Sequence, residues 1–185
     1  MLRTILIGLA VLVVLLVLVV ATRPPTFHVE RSMAIAAPPE RVFPHVNDFH
    51  AWTAWSPWEK IDPQMQRTYS GTPAGVGTIY AWDGNGNVGA GRMTITKSTP
   101  SSQIVIRLEF FEPFAATNTA TFTFVPTPTG TTLTWAMDGS KNFLAKALHM
   151  VMDMDKMVGG SFEQGLAALA AIAERAPAAN AAGGD

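Results

Sequence analysis

Side chains capable of catalysis or metal binding are few and scattered in this sequence. The nearest approach to a metal-binding group is His45, Asp48 and His50, but the two histidines are five residues apart. They therefore do not share one helical face, as helical zinc ligands would have to. His28 and His149 are isolated, which is more typical of surface or capping positions than of metal ligands. We therefore predict no metal site and no cofactor.

General acid or hydrogen-bond donor chemistry has three candidates, Tyr80, Arg92 and Asp155. Asp153 and Asp155 point to different sides of a predicted helix, so they cannot act as a paired acid and base. Ser161 follows two glycines but lacks the strand–turn–helix context of a nucleophile elbow. The sequence therefore favours a function other than catalysis, and we assign no catalytic residues.

Composition excludes several further classes of function. The chain has 185 residues, which suits one domain, and it contains no cysteine. Disulfides, thiolate nucleophiles and cysteine-bound metals are therefore excluded. A net charge of −1 without a basic run provides no field that would attract nucleic acid.

The N-terminus carries an unbroken apolar run over residues 5–21. A run of about 20 apolar residues matches the thickness of a bilayer core, so residues 1–22 are predicted to form a transmembrane helix or signal anchor. A cleaved signal peptide is the alternative, since small residues precede Thr22. The flanking charges, Arg3 on one side and Arg23 and Arg31 on the other, nearly balance. We expect a single-pass protein of the cell membrane with its domain outside the cytoplasm.

The elements that must position any site follow from the periodicity of the apolar residues. Residues 23–26 form a proline-stiffened linker, residues 27–175 one domain, and residues 176–185 a tail predicted to be disordered. One strand and two short helices are followed by six strands in an antiparallel meander and one long helix. A glycine pair at 159–160 is expected to kink that helix or to let it approach the sheet closely. The predicted ranges are 27–35 for the first strand, 41–47 and 49–55 for the short helices, 67–70, 75–83, 88–97, 103–111, 115–125 and 131–138 for the meander, and 143–175 for the long helix.

Several segments in this order carry a resemblance to a known family. They are Ala36-Ala37-Pro38-Pro39-Glu40-Arg41-Val42-Phe43, Trp52-Thr53-Ala54-Trp55-Ser56-Pro57-Trp58, Gly75-Val76-Gly77-Thr78-Ile79-Tyr80-Ala81-Trp82, Thr131-Thr132-Leu133-Thr134-Trp135 and Phe162-Glu163-Gln164-Gly165-Leu166. The chain resembles the START-like (SRPBCC) superfamily, in its bacterial polyketide cyclase/dehydrase and lipid transport branch. This resemblance implies an α+β helix-grip fold, in which a curved antiparallel sheet wraps around a long C-terminal helix. It also implies a cavity between sheet and helix for an apolar ligand.

Alternation along the strands gives an independent prediction of the inner, concave face. Helix residues, with adaptable methionines among them, are predicted to cover this face. That the same positions are only a filled core remains the alternative. The predicted ligand-binding residues are Trp58, Tyr80, Trp82, Met93, Ile106, Leu108, Phe110, Asn118, Phe122, Trp135, Met154, Met157 and Val158.

Three of the five tryptophans, Trp52, Trp55 and Trp58, lie within one short stretch. Trp52 and Trp55 are three residues apart in a helical segment and are predicted to pack against the sheet. Trp58 follows a proline and is a candidate for the edge of the cavity mouth. Contact of these rings with a membrane interface is a third interpretation.

Two functions compete at this level, and a structural or interaction protein with a collapsed interior is a third possibility. The first is a membrane-anchored module that binds a lipid or another hydrophobic small molecule. The second is an aromatase/cyclase-type enzyme acting on an apolar substrate in the same cavity.

Overall fold

The secondary structure of the computed structural model follows the predicted order of elements. The structure describes residues 2–151 and 153–175. Two 3₁₀ helices occupy the region of the second predicted short helix and its exit. The elements are α1 Leu2–Ala21, β1 Thr26–Ile35, α2 Pro39–Asn47, the first 3₁₀ helix Phe49–Ala54, the second 3₁₀ helix Pro57–Lys60, β2 Gln66–Gly71, β3 Thr78–Asp83, β4 Ala90–Thr99, β5 Gln103–Glu112, β6 Ala116–Thr127, β7 Gly130–Ser140, α3 Phe143–Val151 and α4 Met154–Ala173.

All seven strands belong to one curved antiparallel sheet, in the order β1-β7-β6-β5-β4-β3-β2. Strands β2 to β7 form the predicted meander, and β1 pairs with β7 along its whole length, from Thr26 opposite Ser140 to Ile35 opposite Thr131. Register shifts between β4 and β5 mark irregularities of the kind that bend a sheet. The predicted α+β helix-grip fold is confirmed.

The inner face of the sheet carries the core. Ile104, Ile106, Phe122 and Leu133 are fully buried, and Trp135 in β7 is nearly so. Intervening residues such as Arg107 point to the outer face and are exposed. The alternation that predicted the inner face therefore holds in β5, β6 and β7.

The C-terminal helix differs from its prediction as one continuous helix over residues 143–175. It is two helices, because α3 ends at Val151 and α4 begins at Met154. Asp153 has non-helical backbone angles, and its carboxylate accepts a hydrogen bond from the backbone N–H of Lys156 at 3.0 Å. This is an N-terminal cap, which favours a new helix start. α4 packs against β1, whereas α3 contacts α1.

Gly159 lies within α4 without interrupting it and permits a close approach of the sheet. The Arg31 side chain of β1 passes directly over Gly159, where an added Cβ would meet its guanidinium group. From there Arg31 Nη2 pairs with Asp155 at 2.9 Å and Nε with Glu163 at 2.8 Å. The predicted close approach of helix and sheet is thus confirmed at Gly159.

The two adjacent glycines should differ in their response to alanine. An added Cβ at Gly160 would have no heavy atom within 4 Å, so Gly160→Ala should raise the free energy of unfolding by about 1 kcal/mol, the difference in helix propensity. Gly159→Ala displaces Arg31, and the loss of two ion pairs worth about 0.5 kcal/mol each cancels that gain. Urea unfolding of the full chain in mild detergent measures both values. Equal stabilisation by the two variants would contradict the contact over Gly159.

Helix α1 is apolar on all sides and long enough to cross a membrane. Its side chains are exposed except for Val20, which is 2% exposed in the last turn. Four residues, 22–25, connect α1 to β1. Such a helix is weak support by itself for a membrane segment, since signal sequences have the same properties.

Candidate functional site

Helix α4 and the two 3₁₀ helices fill one half of the concave face. The ring planes of Trp135 and Phe162 are stacked at a centroid distance of 4.2 Å. Gly165 of α4 lies directly against the Trp135 ring. We call this set the aromatic cluster: Trp52, Trp55, Trp58, Phe122, Trp135 and Phe162.

The tryptophan-rich stretch serves mainly packing. Trp52 and Trp55 are 4% and 1% exposed. Their indole N–H groups donate to the backbone oxygens of Val46, at 3.0 Å, and His45, at 2.9 Å, which fixes the first 3₁₀ helix against α2. The prediction that these two rings pack inside is confirmed. Trp58 is half-buried, with its ring edge-on to Trp135 at 5.6 Å.

The other half of the concave face is only partly covered. Trp82, Met93, Leu108 and Phe110 are all half-buried, and we call them the apolar patch. They are neighbours in the sheet, because Met93 is paired with Leu108, and Trp82 and Phe110 flank Gly91. The Trp82 ring lies across Gly91, where an added Cβ would be 2.4 Å from Cζ2. Glycine at this position therefore allows the Trp82 and Phe110 rings to meet, with centroids 5.8 Å apart.

A hydrogen-bonded set of polar side chains borders the apolar patch. The Tyr80 hydroxyl donates to Glu59 Oε1 at 2.7 Å, and Arg67 Nε donates to Glu59 Oε2 at 2.7 Å. We call Tyr80, Glu59 and Arg67 the polar triad. The Glu59 side chain is 7% exposed and that of Arg67 is 23% exposed. The triad is therefore an ion pair largely removed from water, with a phenol attached.

The environment of Tyr80 decides what chemistry its hydroxyl offers. Burial, and then its hydrogen bond to Glu59, raise the pKa of Tyr80 far above its usual range. The hydroxyl therefore keeps its proton at ordinary pH and acts as a neutral donor.

Sequence reasoning named Tyr80 but missed Glu59 and Arg67, because Trp58-Glu59-Lys60 is typical of a solvated turn. The sequence signal for Arg67 is its alternation with Tyr69 in the predicted strand, whereas its pairing opposite Trp82 is visible only in the structure.

Asn118 is another polar group of the inner face. It is 8% exposed and paired with Leu108 of the patch in the sheet register. Among the residues that the structure describes, its Nδ2 donates only to the Met137 sulfur, at 3.8 Å, which is a weak acceptor. A buried amide with so weak a partner has capacity for a further hydrogen bond.

The remaining predicted ligand-binding residues have varied surroundings. Ile106 is fully buried, and Phe122 and Trp135 are buried members of the aromatic cluster. Val158 packs against the core from α4, whereas Met157 is 51% exposed. The side chain of Met154 lies outside the described part of the structure.

Two of the three candidate donors point away from the concave face. Arg92 lies on the outer face, where its Nη2 pairs with Glu109 at 2.8 Å. Asp155 is on the surface, and the hydrogen bond from Arg31 lowers the pKa of its carboxyl group. Only Tyr80 of the three borders the apolar patch.

The histidines considered for metal binding have separate partners. His50 Nδ1 lies 2.9 Å from Asp48, and its ring stacks on Tyr69 at 4.1 Å. His45 is half-buried, and burial lowers its pKa. His28 lies 2.7 Å from Asp138, and that hydrogen bond raises its pKa. His50 and His28 are therefore surface residues: the His50 ring stacks on Tyr69, and the His28 ring pairs with Asp138.

Comparison with known proteins identifies the family to which this chain belongs. Residues 26–174 match the family described as polyketide cyclase / dehydrase and lipid transport. The chain belongs to this family. Membership in the polyketide cyclase / dehydrase and lipid transport family supports a domain that binds a hydrophobic ligand. No curated protein matches the sequence significantly.

Solved structures show the same fold at low sequence identity. Protein CV1439 from Chromobacterium violaceum is 20% identical, with a TM-score of 0.57 over 83% of this chain and 100% of that chain. Protein MLL2253 from Mesorhizobium loti is 18% identical, with a TM-score of 0.60 over 82% of this chain and 99% of the other. The di-domain ARO/CYC BexL from the BE-7585A biosynthetic pathway is 18% identical, with a TM-score of 0.61 over 85% of this chain. This chain spans 53% of the length of BexL.

Proposed function

We propose that the protein is a membrane-anchored binding module for a lipid or another hydrophobic small molecule. The observation that carries the proposal is the half-buried apolar patch on a concave face whose other half is filled. Trp82, Met93, Leu108 and Phe110 present contiguous apolar surface that the described elements cover only in part. A ligand that covers this surface gains about 25 cal/mol for each Å² of apolar area removed from water.

Polar groups at the margin of the patch would orient the ligand. Asn118 supplies an amide on one side, and the polar triad supplies an arginine and a phenol on the other. Pockets for apolar ligands generally combine such a surface with a few polar contacts. A molecule with an apolar body and one polar end fits this distribution better than a pure hydrocarbon does.

Anchoring follows from α1. In the proposed arrangement α1 crosses the cell membrane once and holds the domain outside the cytoplasm. An apolar ligand that dissolves in the bilayer would be concentrated next to the domain. Retention of α1 in the mature protein, seen by intact mass, tests the anchor against cleavage.

If the apolar patch binds the ligand, substitutions at two adjacent positions of β5 should differ in their effect on ligand affinity. Leu108→Gln places an amide against the ligand at a cost of about 1–3 kcal/mol, so affinity for a fluorescent fatty-acid analogue should fall about tenfold. Arg107→Gln changes the neighbouring side chain on the outer face and should leave affinity unchanged. Fluorescence titration of the full chain in mild detergent measures both variants. Equal affinities, or lipid extracts of the purified protein that are repeatedly empty by mass spectrometry, would contradict the proposal.

An aromatase/cyclase-type enzyme is the second candidate, and the Tyr80–Glu59 pair favours it. In this candidate mechanism the single Tyr80 hydroxyl proton turns from Glu59 to a substrate carbonyl that reaches the edge of the apolar patch. Incubation with a linear poly-β-ketone thioester distinguishes the two functions. A dehydrated cyclic product that Tyr80→Phe abolishes would establish the enzyme, and unchanged substrate beside normal ligand binding would leave the binding module.

A further inference from the structure

A second concave feature, with lining residues distinct from the apolar patch, lies where the chain leaves α1. It is a cleft of about 320 Å³ between the linker and α3. Its lining residues are Arg23, Pro24, Lys141, Lys146, His149 and Met150. Three of these side chains are permanent cations, although the whole chain has a net charge of −1.

Backbone contacts fix these cations at the end of α1. The backbone N–H of Lys141 donates to the oxygen of Pro25 at 2.6 Å, which joins the end of β7 to the linker. Lys146 Nζ donates to the oxygen of Ala21 at 3.3 Å, so α3 is held against the last turn of α1. A lysine there also interacts favourably with the negative end of the helix dipole. The cluster therefore has a defined place at the exit of the apolar helix.

The charge of the cleft is not neutralised within the described part of the chain. No carboxylate there forms an ion pair with Arg23, Lys141 or Lys146. Burial and then the nearby Lys141 lower the pKa of His149, so at neutral pH it adds an uncharged imidazole. The cleft thus suits an anion.

Helix α3 also carries apolar side chains that face solvent next to this cleft. Phe143 and Leu144 are each 51% exposed, and Leu148 is 37% exposed. Apolar residues beside basic residues on one short helix are typical of a helix that lies in a membrane interface. Both features occur where α1 would leave the bilayer.

We propose that this cleft binds the phosphate of an anionic phospholipid in the leaflet where α1 ends, with α3 lying on that leaflet. The proposal rests on the membrane anchoring proposed for α1, but not on any ligand of the apolar patch. Basic residues next to an anionic bilayer surface are attracted to it, and a fixed cleft adds direct contacts to one headgroup.

The test uses the full chain in nanodiscs of phosphatidylcholine alone or mixed with phosphatidylglycerol. Hydrogen exchange of the α3 amides and native mass spectrometry of retained lipid are measured. The variant Arg23→Gln/Lys141→Gln/Lys146→Gln removes the cluster, and Arg41→Gln/Lys60→Gln/Lys97→Gln is its control with the same change of charge. Phosphatidylglycerol should slow exchange in α3 and be retained, and the cluster variant should reduce retention about tenfold or more while the control does not.

Each other outcome overturns the proposal. If α3 is equally protected from hydrogen exchange in the two lipid compositions, the cleft does not bind the anionic headgroup. The same conclusion follows if the cluster variant and its control retain equal amounts of phosphatidylglycerol. Protection by inorganic phosphate in detergent, without phosphatidylglycerol dependence in nanodiscs, would make the cleft a site for free anions. Failure of the chain to remain in nanodiscs would instead disprove the anchor, while binding at the apolar patch could still be measured.

Discussion

Replacing Trp135 with alanine should lower the free energy of unfolding by about 4 kcal/mol, the range of large-to-small substitutions of buried aromatic residues. Trp135 is 3% exposed and lies at the centre of the aromatic cluster. Its ring stacks on Phe162 at 4.2 Å and contacts Phe122 at 4.7 Å and Trp55 at 5.6 Å, so the cavity left by alanine has no side chain free to fill it. Urea unfolding of the full chain in detergent, followed by circular dichroism, measures the effect.

Trp135→Phe is the matched control for this position. The indole Nε1 is buried and has no hydrogen-bond partner among the described residues. Phenylalanine keeps part of the stacked ring and removes the unpaired N–H, whose burial costs about 1–3 kcal/mol. The phenylalanine variant should therefore be much more stable than the alanine variant. Similar losses in both variants would contradict the stacked geometry.

The second large decrease in the free energy of unfolding is expected on disrupting the polar triad. Glu59→Ala leaves Arg67 and the Tyr80 hydroxyl without their acceptor. Removing one partner of a fully buried ion pair costs about 3–5 kcal/mol. Because the Arg67 side chain is 23% exposed and regains some water, we expect a loss of about 2–3 kcal/mol.

Two variants separate the contributions within the triad. Tyr80→Phe removes one hydrogen bond and should cost about 1 kcal/mol. Glu59→Gln keeps an oxygen acceptor but loses the charge, so its stability should lie between wild type and Glu59→Ala. If Glu59→Ala lowers the free energy of unfolding no more than Tyr80→Phe does, the ion pair between Arg67 and Glu59 does not stabilise the fold. The same urea experiment measures all three variants.

Much of the sheet was predictable because its signals are local. Alternation in β5 places Ile104 and Ile106 inside and Arg107 outside, and short turn sequences separate the strands. The break before α4 was not predictable in this way. Apolar residues recur with helical periodicity through the break, and this periodicity hides the local capping signal of Asp153.

The candidate site was predictable only in outline. Ile106 and Leu108 have the same pattern in the sequence, yet Ile106 is fully buried and Leu108 is half-buried. The difference arises from where α4 and the 3₁₀ helices end, which is a property of tertiary packing. Glu59 was missed for a related reason, since its burial depends on Tyr80 and Arg67 from the strands packed against it.

The short connection between α1 and β1 limits where the protein can act. Residues 22–25 extend to roughly 14 Å at most, given about 3.4 Å for each residue, and two of them are prolines. With α1 inserted, the domain cannot travel across an aqueous gap to deliver cargo to a second bilayer. Any molecule it holds would have to enter from, and return to, its host membrane or a protein that comes to that surface.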